Sequence, residues 1–237
     1  MERRLAGLYA CEPALPGVHM PSTEPVDLLS RITGAAPSLL RFTHAQPNQF
    51  EIILQAGFAL PVERPTNVYE FLRDQLGVPE EVIQQRIQTL FLNSSPVDNL
   101  LTAQVRPGST LALSGALPGL LGATMRRGGY YSRMREGISY KQDEPLTEEH
   151  AKPFLVQVRL YNLMARDLAG YALRRGILVP KDRLCEFLEQ QPPAFWMQFG
   201  QCELDEKPIP TDAFHQAAWE PCTETILLLL ADSPVKE

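Results

Sequence analysis

Two short apolar segments joined by turn signals constrain the fold of this chain more than any other feature. Thr89 to Asn93 and Thr110 to Leu113 have the length and the apolar character of β-strands. Residues 93–95 (Asn-Ser-Ser) favour a turn directly after the first segment. Residues 106–109 (Arg-Pro-Gly-Ser) place Pro and Gly at the two central positions of a type II turn before the second segment. We therefore expect both strands to lie in one small sheet.

Residues 50–63 predict two further strands. Apolar side chains alternate with other residues through 50–55, which is typical of a strand with one strongly apolar face. Gly57 supplies a turn, and residues 59–63 return as a second strand. Pro61 has no backbone N–H, so we expect this second strand at an edge of the sheet or at a bulge.

A helix is predicted after these strands. Asn67 and Glu70 form an Asn-x-x-Glu variant of the capping box, in which each side chain satisfies the other residue's free backbone N–H. Apolar residues follow at helical spacing from Val68 to Leu76, and Gly77 stands where a left-handed residue ends a helix. A second short helix is predicted from Pro79. The order strand, strand, helix, strand, turn, strand indicates an α+β fold, with a helix packed across a small mixed sheet.

The segment TLFLNSSPVDNLLTAQVRPGSTLALSGALPG, residues 89–119, resembles the C-terminal half of the β-grasp sulfur carriers, namely the small subunit of molybdopterin synthase and the thiamine-pathway carrier. In those carriers a strand ending in Asn leads through a turn to a Pro-Val-like pair, and a polar-Gly turn precedes a final apolar strand. The resemblance covers roughly residues 50–119 and implies a β-grasp, ubiquitin-like fold. The carriers end at a Gly-Gly whose carboxylate enters an adenylating enzyme, whereas this chain continues through Pro118-Gly119-Leu120.

Three short sequence matches recur in the same order about 115 residues later in the chain. They predict a second, divergent β-grasp-like unit in tandem with the first. Two interpretations of the start of this unit stay open, because residues 153–175 fit either one long helix or a strand followed by a helix. The matched pairs are Glu70-Phe71-Leu72 with Glu186-Phe187-Leu188, residues 92–97 with residues 204–209, and residues 110–113 with residues 225–228.

These observations divide the chain into four predicted parts. They are an N-terminal arm at 1–48, a β-grasp domain at 49–120, a Gly/Arg/Tyr-rich connector at 121–150 and a divergent β-grasp-like α+β domain at 151–237. We expect the arm to be extended and to lie over the following domain, with one or two helical turns from Asp27 to Ile32 that end at Gly34.

The connector carries the candidate binding residues. Between residues 123 and 141 five basic residues stand against the single acidic residue Glu136. Guanidinium groups, together with glycines that let the backbone approach a ligand, suit an anion, a phosphate or the acidic tail of a partner. An alternative is a solvated, flexible linker whose basic half attracts the acidic residues at 143–149. The candidate residues are Arg126, Arg127, Gly128, Gly129, Tyr130, Arg133 and Arg135.

Composition excludes several classes of protein. The net charge of −6 and the isoelectric point near 5.3 disfavour a nucleic-acid binder. No apolar run approaches the roughly 18 residues that span a bilayer, so we expect no membrane association. The apolar core that follows Arg4 is too short for an export signal. The four cysteines, at 11, 185, 202 and 222, have no zinc-binding spacing, which indicates reduced thiols in a cytoplasmic protein with no metal site.

No motif for a catalytic nucleophile or a cofactor is present in the sequence, so we expect no catalytic residue and no cofactor. We interpret the chain as a non-enzymatic binding or adaptor protein whose partner is another protein or a small anion, and the sequence leaves its oligomeric state open. Two alternatives remain. One is a sulfur-carrier or ubiquitin-like modifier precursor processed near Gly129, since Arg126-Arg127-Gly128-Gly129 resembles a ubiquitin-type tail. The other is an enzyme with a site between the two units.

Overall fold

Ten strands form one mixed sheet, in which the order across the sheet differs from the order along the chain. The computed structural model describes residues 25–141, 152–198, 201–210, 219–220 and 222–231. The strands are β1 (Ser38–Thr43), β2 (Phe58–Val62), β3 (Thr66–Asn67), β4 (Thr89–Leu92), β5 (Ser95–Pro96), β6 (Gln104–Val105), β7 (Thr110–Ser114), β8 (Phe154–Tyr161), β9 (Ile177–Pro180), β10 (Gln201–Leu204), β11 (Lys207–Pro208) and β12 (Thr225–Ala231). The sheet order is β11-β10-β1-β12-β9-β2-β8-β7-β4-β5, and β3 with β6 forms a separate ribbon.

The sheet consists of two halves with the same pairing pattern. They meet where Ala59 of β2 pairs with Leu178 of β9. From that junction outward, each half has an antiparallel, a parallel and then two antiparallel pairings. The first half contains β2, β4, β5, β7 and the distant β8, whereas the second contains β9 to β12 and the distant β1. The strands of each half therefore come from both sides of residue 120.

Helices surround this sheet, so the molecule has a mixed α+β architecture, as predicted. The α-helices are α1 (Pro25–Thr33), α2 (Glu51–Ala56), α3 (Val68–Glu70), α4 (Glu80–Gln85), α5 (Gly119–Met125), α6 (Leu163–Asp167), α7 (Ala169–Arg175), α8 (Lys181–Glu189) and α9 (Pro193–Trp196). A π-helical turn at Phe71–Gln75 continues α3, and 3₁₀ turns lie at Pro47–Phe50 and Tyr130–Arg135.

The main core lies on one face of the sheet. The ring of Phe50 lies 5.4 Å from that of Phe42 on β1 and 5.9 Å from that of Phe187 on α8, so the core links the sheet to helices from both parts of the chain. On the opposite face α1 covers the centre of the sheet, where Leu29 forms a second buried cluster. Its buried partners in that cluster are Ala59, Leu178 and Leu227. This face therefore has a covered centre and two flanks.

The predicted strand at 50–55 is wrong, because these residues form the end of a 3₁₀ turn and helix α2. Phe50, Ile53 and Leu54 are buried, and their spacing of three and four residues defines one face of a helix. Ile52, which the alternating pattern placed on the apolar face, is 66% exposed. The run of apolar residues fitted both periods, and packing against β8 selected the helix.

Strand β2 does not lie at an edge of the sheet, contrary to the prediction from Pro61. It lies between β8 and β9. Pro61 is nevertheless tolerated, because β9 pairs with β2 only at Ala59 and Pro61 itself pairs only with Leu155 of β8. The N–H that Pro61 lacks is therefore not needed for pairing with β9.

The open alternative at 153–175 is resolved as a strand followed by helices. Residues 154–161 form β8, and α6 and α7 follow, up to Arg175. Gly176 ends the last helix with a φ of 84°, which only glycine adopts without strain. In the N-terminal segment, α1 and Gly34 confirm the predicted helical turns. Residues 38–43, which the sequence analysis assigned to an arm, form β1 inside the sheet.

Two of the three repeated sequence matches occupy similar structural positions. The first lies in the helical segment that follows β2 and in α8, which follows β9. The second forms two hairpins, in which the turn residues 93–94 and 205–206 all have positive φ. The third does not correspond, because β7 pairs with β4 whereas β12 pairs with β1 instead of β10. In the second half β1 therefore takes the place that β7 has in the first.

Candidate partner-binding surface on the connector

The part of the connector that the structure describes is folded against the first half of the sheet. Helix α5 and the 3₁₀ turn at Tyr130–Arg135 pack on each other. The backbone N–H of Arg127 donates to the carbonyl oxygen of Gln88 at 2.8 Å, and that of Tyr140 donates to Pro96 on β5 at 2.8 Å. Residues 119–141 are therefore not a solvated linker, and the acidic residues at 143–149 lie outside the described residues.

Arg135 anchors this segment. Its side chain is buried, with the residue only 4% exposed, and its guanidinium donates to both carboxylate oxygens of Asp98, at 2.7 and 3.1 Å. It also donates to the carbonyl oxygen of Thr124 at 2.7 Å and to the hydroxyl of Ser139 at 2.7 Å. These contacts use the donors that a bound anion would need, so Arg135 holds the connector together.

Arg127 and the two glycines contribute to the same anchoring. The Arg127 guanidinium is partly buried and donates to the carbonyl oxygen of Ile83 at 3.1 Å. Burial lowers its pKa, and the nearby Asp98 carboxylate partly opposes this shift. Gly128, with a φ of 61°, donates its N–H to Asp98 at 3.0 Å, and Gly129 donates to the carbonyl oxygen of Arg126 at 3.2 Å. The Gly-Gly pair therefore lies in a hydrogen-bonded turn between two helical segments.

Arg126, Tyr130 and Arg133 are exposed instead. Tyr130 is 90% exposed, and its ring meets that of Tyr131 edge to face at 5.1 Å. Neither Arg126 nor Arg133 forms an ion pair or a side-chain hydrogen bond with any residue that the structure describes. The seven predicted residues thus separate into an anchoring group around Asp98 and an exposed group.

Exposed apolar side chains accompany the free arginines. Six of the eleven large hydrophobic residues that are exposed in the described chain lie between positions 120 and 138. We define the connector surface as Leu120, Leu121, Arg126, Tyr130, Tyr131, Arg133, Met134 and Ile138. Exposed apolar groups that form a patch mark interaction sites in soluble proteins, so this surface is a candidate interface.

An open groove of about 590 Å³ borders the connector surface at Ile138. One wall is the β4–β5 hairpin at residues 92–95, and the other is residues 137–141. Ser94, Ser95 and Lys141 contribute polar side chains to its lining. The groove therefore adds hydrogen-bonding groups beside the connector surface.

Asp98 and the apolar members of the surface were not among the predicted site residues. Asp98 carried no local signal, because its partner Arg135 follows 37 residues later. Leu120 and Leu121 stand side by side in a seven-residue helix whose one buried residue is Gly122. Their exposure depends on what packs against the helix, so the local sequence did not indicate it.

Within the described ranges no three His, Cys, Asp or Glu side chains are placed to hold a metal ion. Cys185 and Cys202 are free thiols. The helices of the described chain are all too short or too polar to cross a bilayer. Comparisons of the chain with protein-family models, with curated proteins and with solved structures gave no significant match.

Proposed function

We propose that this protein is a non-enzymatic binding or adaptor module, and that the connector surface binds an acidic segment of a protein partner. The observation that carries the proposal is the joint exposure of apolar residues and arginines on a folded segment. Tyr, Met and Arg are enriched in the cores of protein interfaces, and Tyr and Arg dominate the binding energy there. Tyr130, Met134 and Arg133 supply these residue types within five positions of the chain.

The charge of the surface favours an acidic partner. Arg126 and Arg133 have no carboxylate partner among the described residues, although the protein as a whole carries a net charge of −6. A local positive patch on an acidic protein attracts carboxylates and repels basic segments, which sets partner choice and association rate.

A protein segment fits this surface better than a small anion does. A small anion needs several donors that converge on one point. The guanidinium groups of Arg127 and Arg135 donate to Ile83, Thr124 and Asp98 within the fold, so they do not converge on an open position. An extended or helical segment instead contacts separate arginines and apolar groups along its length.

We further propose that each half of the sheet is a β-grasp unit and that the two units exchange one strand each. The identical pairing pattern of the halves supports this proposal, as does the helical segment that follows both β2 and β9. In each half the strand taken from the other part of the chain, β8 or β1, belongs to the central parallel pair. Such an exchange makes the two units interdependent, which suits a scaffold that presents one surface.

Comparative capture from lysate of the source cell tests the proposed function. Immobilised full-length protein is compared with Arg126→Glu/Arg133→Glu and with the control Arg64→Glu/Arg166→Glu, in which two other exposed arginines change sign. We expect a partner rich in Asp and Glu that the wild type and the control retain and the connector variant loses. Equal capture by all three proteins, or no specific capture by any of them, would contradict the proposal.

A further inference from the structure

The flank of the sheet formed by β4, β7 and β8 has an open pocket on the face that α1 partly covers. Phe91 pairs with Ala112, and Ala112 pairs with Arg159, so one residue from each strand lies in a row across the sheet. A pocket of about 340 Å³ lies over this row, and Phe91, Ser94, Thr110, Ala112, Arg159 and Tyr161 line it. The pocket shares no residue with the connector surface.

The small side chain of Ala112 gives the pocket its depth. Phe91 lies on one side of Ala112 and Arg159 on the other, and Tyr161 follows two positions later on the same face of β8. Asn162 ends β8 with a φ of 53°, and its amide donates to the hydroxyl of Ser114 at 3.1 Å, which fixes the end of this strand. Two aromatic rings and a guanidinium are thus held on rigid strands around a small residue.

Arg159 is an uncompensated cation. It is exposed and forms no ion pair or side-chain hydrogen bond with any residue in the described part of the chain. A Cβ atom at position 57 would approach Arg159 Cγ to 3.1 Å and Nε to 3.2 Å. The stem of Arg159 therefore lies close to the backbone of Gly57, and a side chain there would displace it.

We infer that this pocket binds a mononucleotide, with the base stacked on the aromatic side chains and the phosphate paired with Arg159. Aromatic side chains on an open sheet face are stacking platforms for bases. A guanidinium is the side chain best matched to a phosphate, and the hydroxyls of Ser94 and Thr110 offer further hydrogen bonds. The volume is at the lower end of the range for small-molecule sites, roughly 300–1,000 Å³.

A single nucleotide fits these groups better than a nucleic-acid strand does. Binding of a strand requires several cations along its phosphates. Among the described residues that line the pocket Arg159 is the one cation, and the protein as a whole has a net charge of −6. Two aromatic rings beside one guanidinium match one base with one phosphate.

Calorimetric titration of the full-length protein with adenosine 5′-monophosphate and uridine 5′-monophosphate tests this inference. Adenosine and uridine serve as probes for the nucleosides alone, and inorganic phosphate as the probe for the phosphate alone. We expect at least one mononucleotide to bind with a Kd below about 1 mM, the corresponding nucleoside more weakly and phosphate weakest. No detectable binding of either mononucleotide at that concentration would overturn the inference.

Three variants localise the binding. Arg159→Gln is expected to weaken mononucleotide binding by about ten-fold and to leave nucleoside binding unchanged, since it removes the phosphate contact alone. Ala112→Leu fills the pocket and Tyr161→Ala removes a platform, so both are expected to weaken nucleoside and mononucleotide alike. Gln157→Ala, on the same face of β8 but outside the pocket lining, is the control. If the three pocket variants bind the nucleotide as the wild type and the control do, the ligand binds elsewhere and the inference is overturned.

Discussion

Asp98 binds both terminal nitrogens of the Arg135 guanidinium, with Oδ1 2.7 Å from Nη2 and Oδ2 3.1 Å from Nη1. The pair joins the loop that follows β5 to the 3₁₀ turn of the connector, 37 positions apart in the chain. Because Arg135 is buried, this ion pair contributes to holding the connector in the folded conformation that presents the connector surface.

We expect Asp98→Ala to destabilise the protein, because it leaves a buried guanidinium without its counter-ion. The expected loss in the free energy of unfolding is about 1–3 kcal/mol. This expected loss is no larger than the loss found when a fully buried ion pair is broken, because the Asp98 side chain is 41% exposed. Urea unfolding measures the loss, and hydrogen exchange should show reduced protection at residues 119–141. Arg126→Ala is the control, with a change within about 0.5 kcal/mol, and an equal effect of both variants would contradict the anchoring role.

The hairpin turn at Asp205 gives a second prediction. Its carboxylate accepts the N–H of Leu39 at 2.8 Å and its N–H donates to the carbonyl of Leu39 at 2.9 Å, just as Asn93 does with Thr110 in the first half. We expect Asp205→Ala to lower the free energy of unfolding by about 1–2 kcal/mol, because alanine loses one bond and disfavours positive φ. Asparagine keeps a side-chain oxygen that can accept the Leu39 N–H, and it tolerates positive φ. Thermal denaturation should therefore distinguish Asp205→Asn from Asp205→Ala. A neutral Asp205→Ala would show that β1 is held by its strand pairing alone.

We expect replacement of the buried Arg175 to stabilise the folded protein. This residue is 5% exposed, its Nη2 has no hydrogen-bond partner among the described residues, and burial lowers its pKa. No carboxylate among the described residues forms an ion pair with it. A buried charge without a counter-ion is unfavourable, so Arg175→Met is expected to raise the free energy of unfolding by about 1–2 kcal/mol. Arg166→Met, at an exposed position on α6, is the control and should change stability little. A loss of stability in Arg175→Met would instead show that this guanidinium is compensated.

The raised pKa of the Cys185 thiol implies that the stability of the folded protein depends on pH. Burial, with a smaller contribution from Glu189 and Asp182, raises its pKa from 9.0 to about 11. The unfolded chain therefore loses this proton at lower pH than the folded protein, and stability decreases as the pH rises from about 9 to about 11. We expect Cys185→Ser to flatten the decrease, with the stability difference between the two proteins changing over this window. A constant difference would contradict the shifted pKa.

Local patterns predicted the local structures. Asn67 accepts the N–H of Glu70 at 2.8 Å, as the capping pattern indicates, although Glu70 bonds to the hydroxyl of Thr66 and not back to Asn67. Gly77 and Gly108 have positive φ at the predicted helix end and turn. Each of these features depends on residues within a few positions of each other, so a single sequence is sufficient to find them.

The order of the strands in the sheet could not be predicted from such local patterns. Residues 38–43 were predicted as part of an arm, because nothing local indicates that they pair with β10 and β12, which follow more than 150 residues later. The same applies to the connector, where the composition indicated a basic site but the distant Asp98 converts Arg135 into an anchor. Periodicity indicates which face of a strand is buried, but it does not indicate which distant strand lies beside it.

The most direct test of the central claim, that the connector surface binds a partner, is photo-crosslinking in the source cell. A photoreactive amino acid replaces Tyr130 or Met134, and Ile52, a comparably exposed apolar residue on α2, is the control position. We expect both connector positions to crosslink to the same acidic protein and position 52 to give no such product. The absence of a crosslinked partner at positions 130 and 134, or the same products at all three positions, would contradict the account.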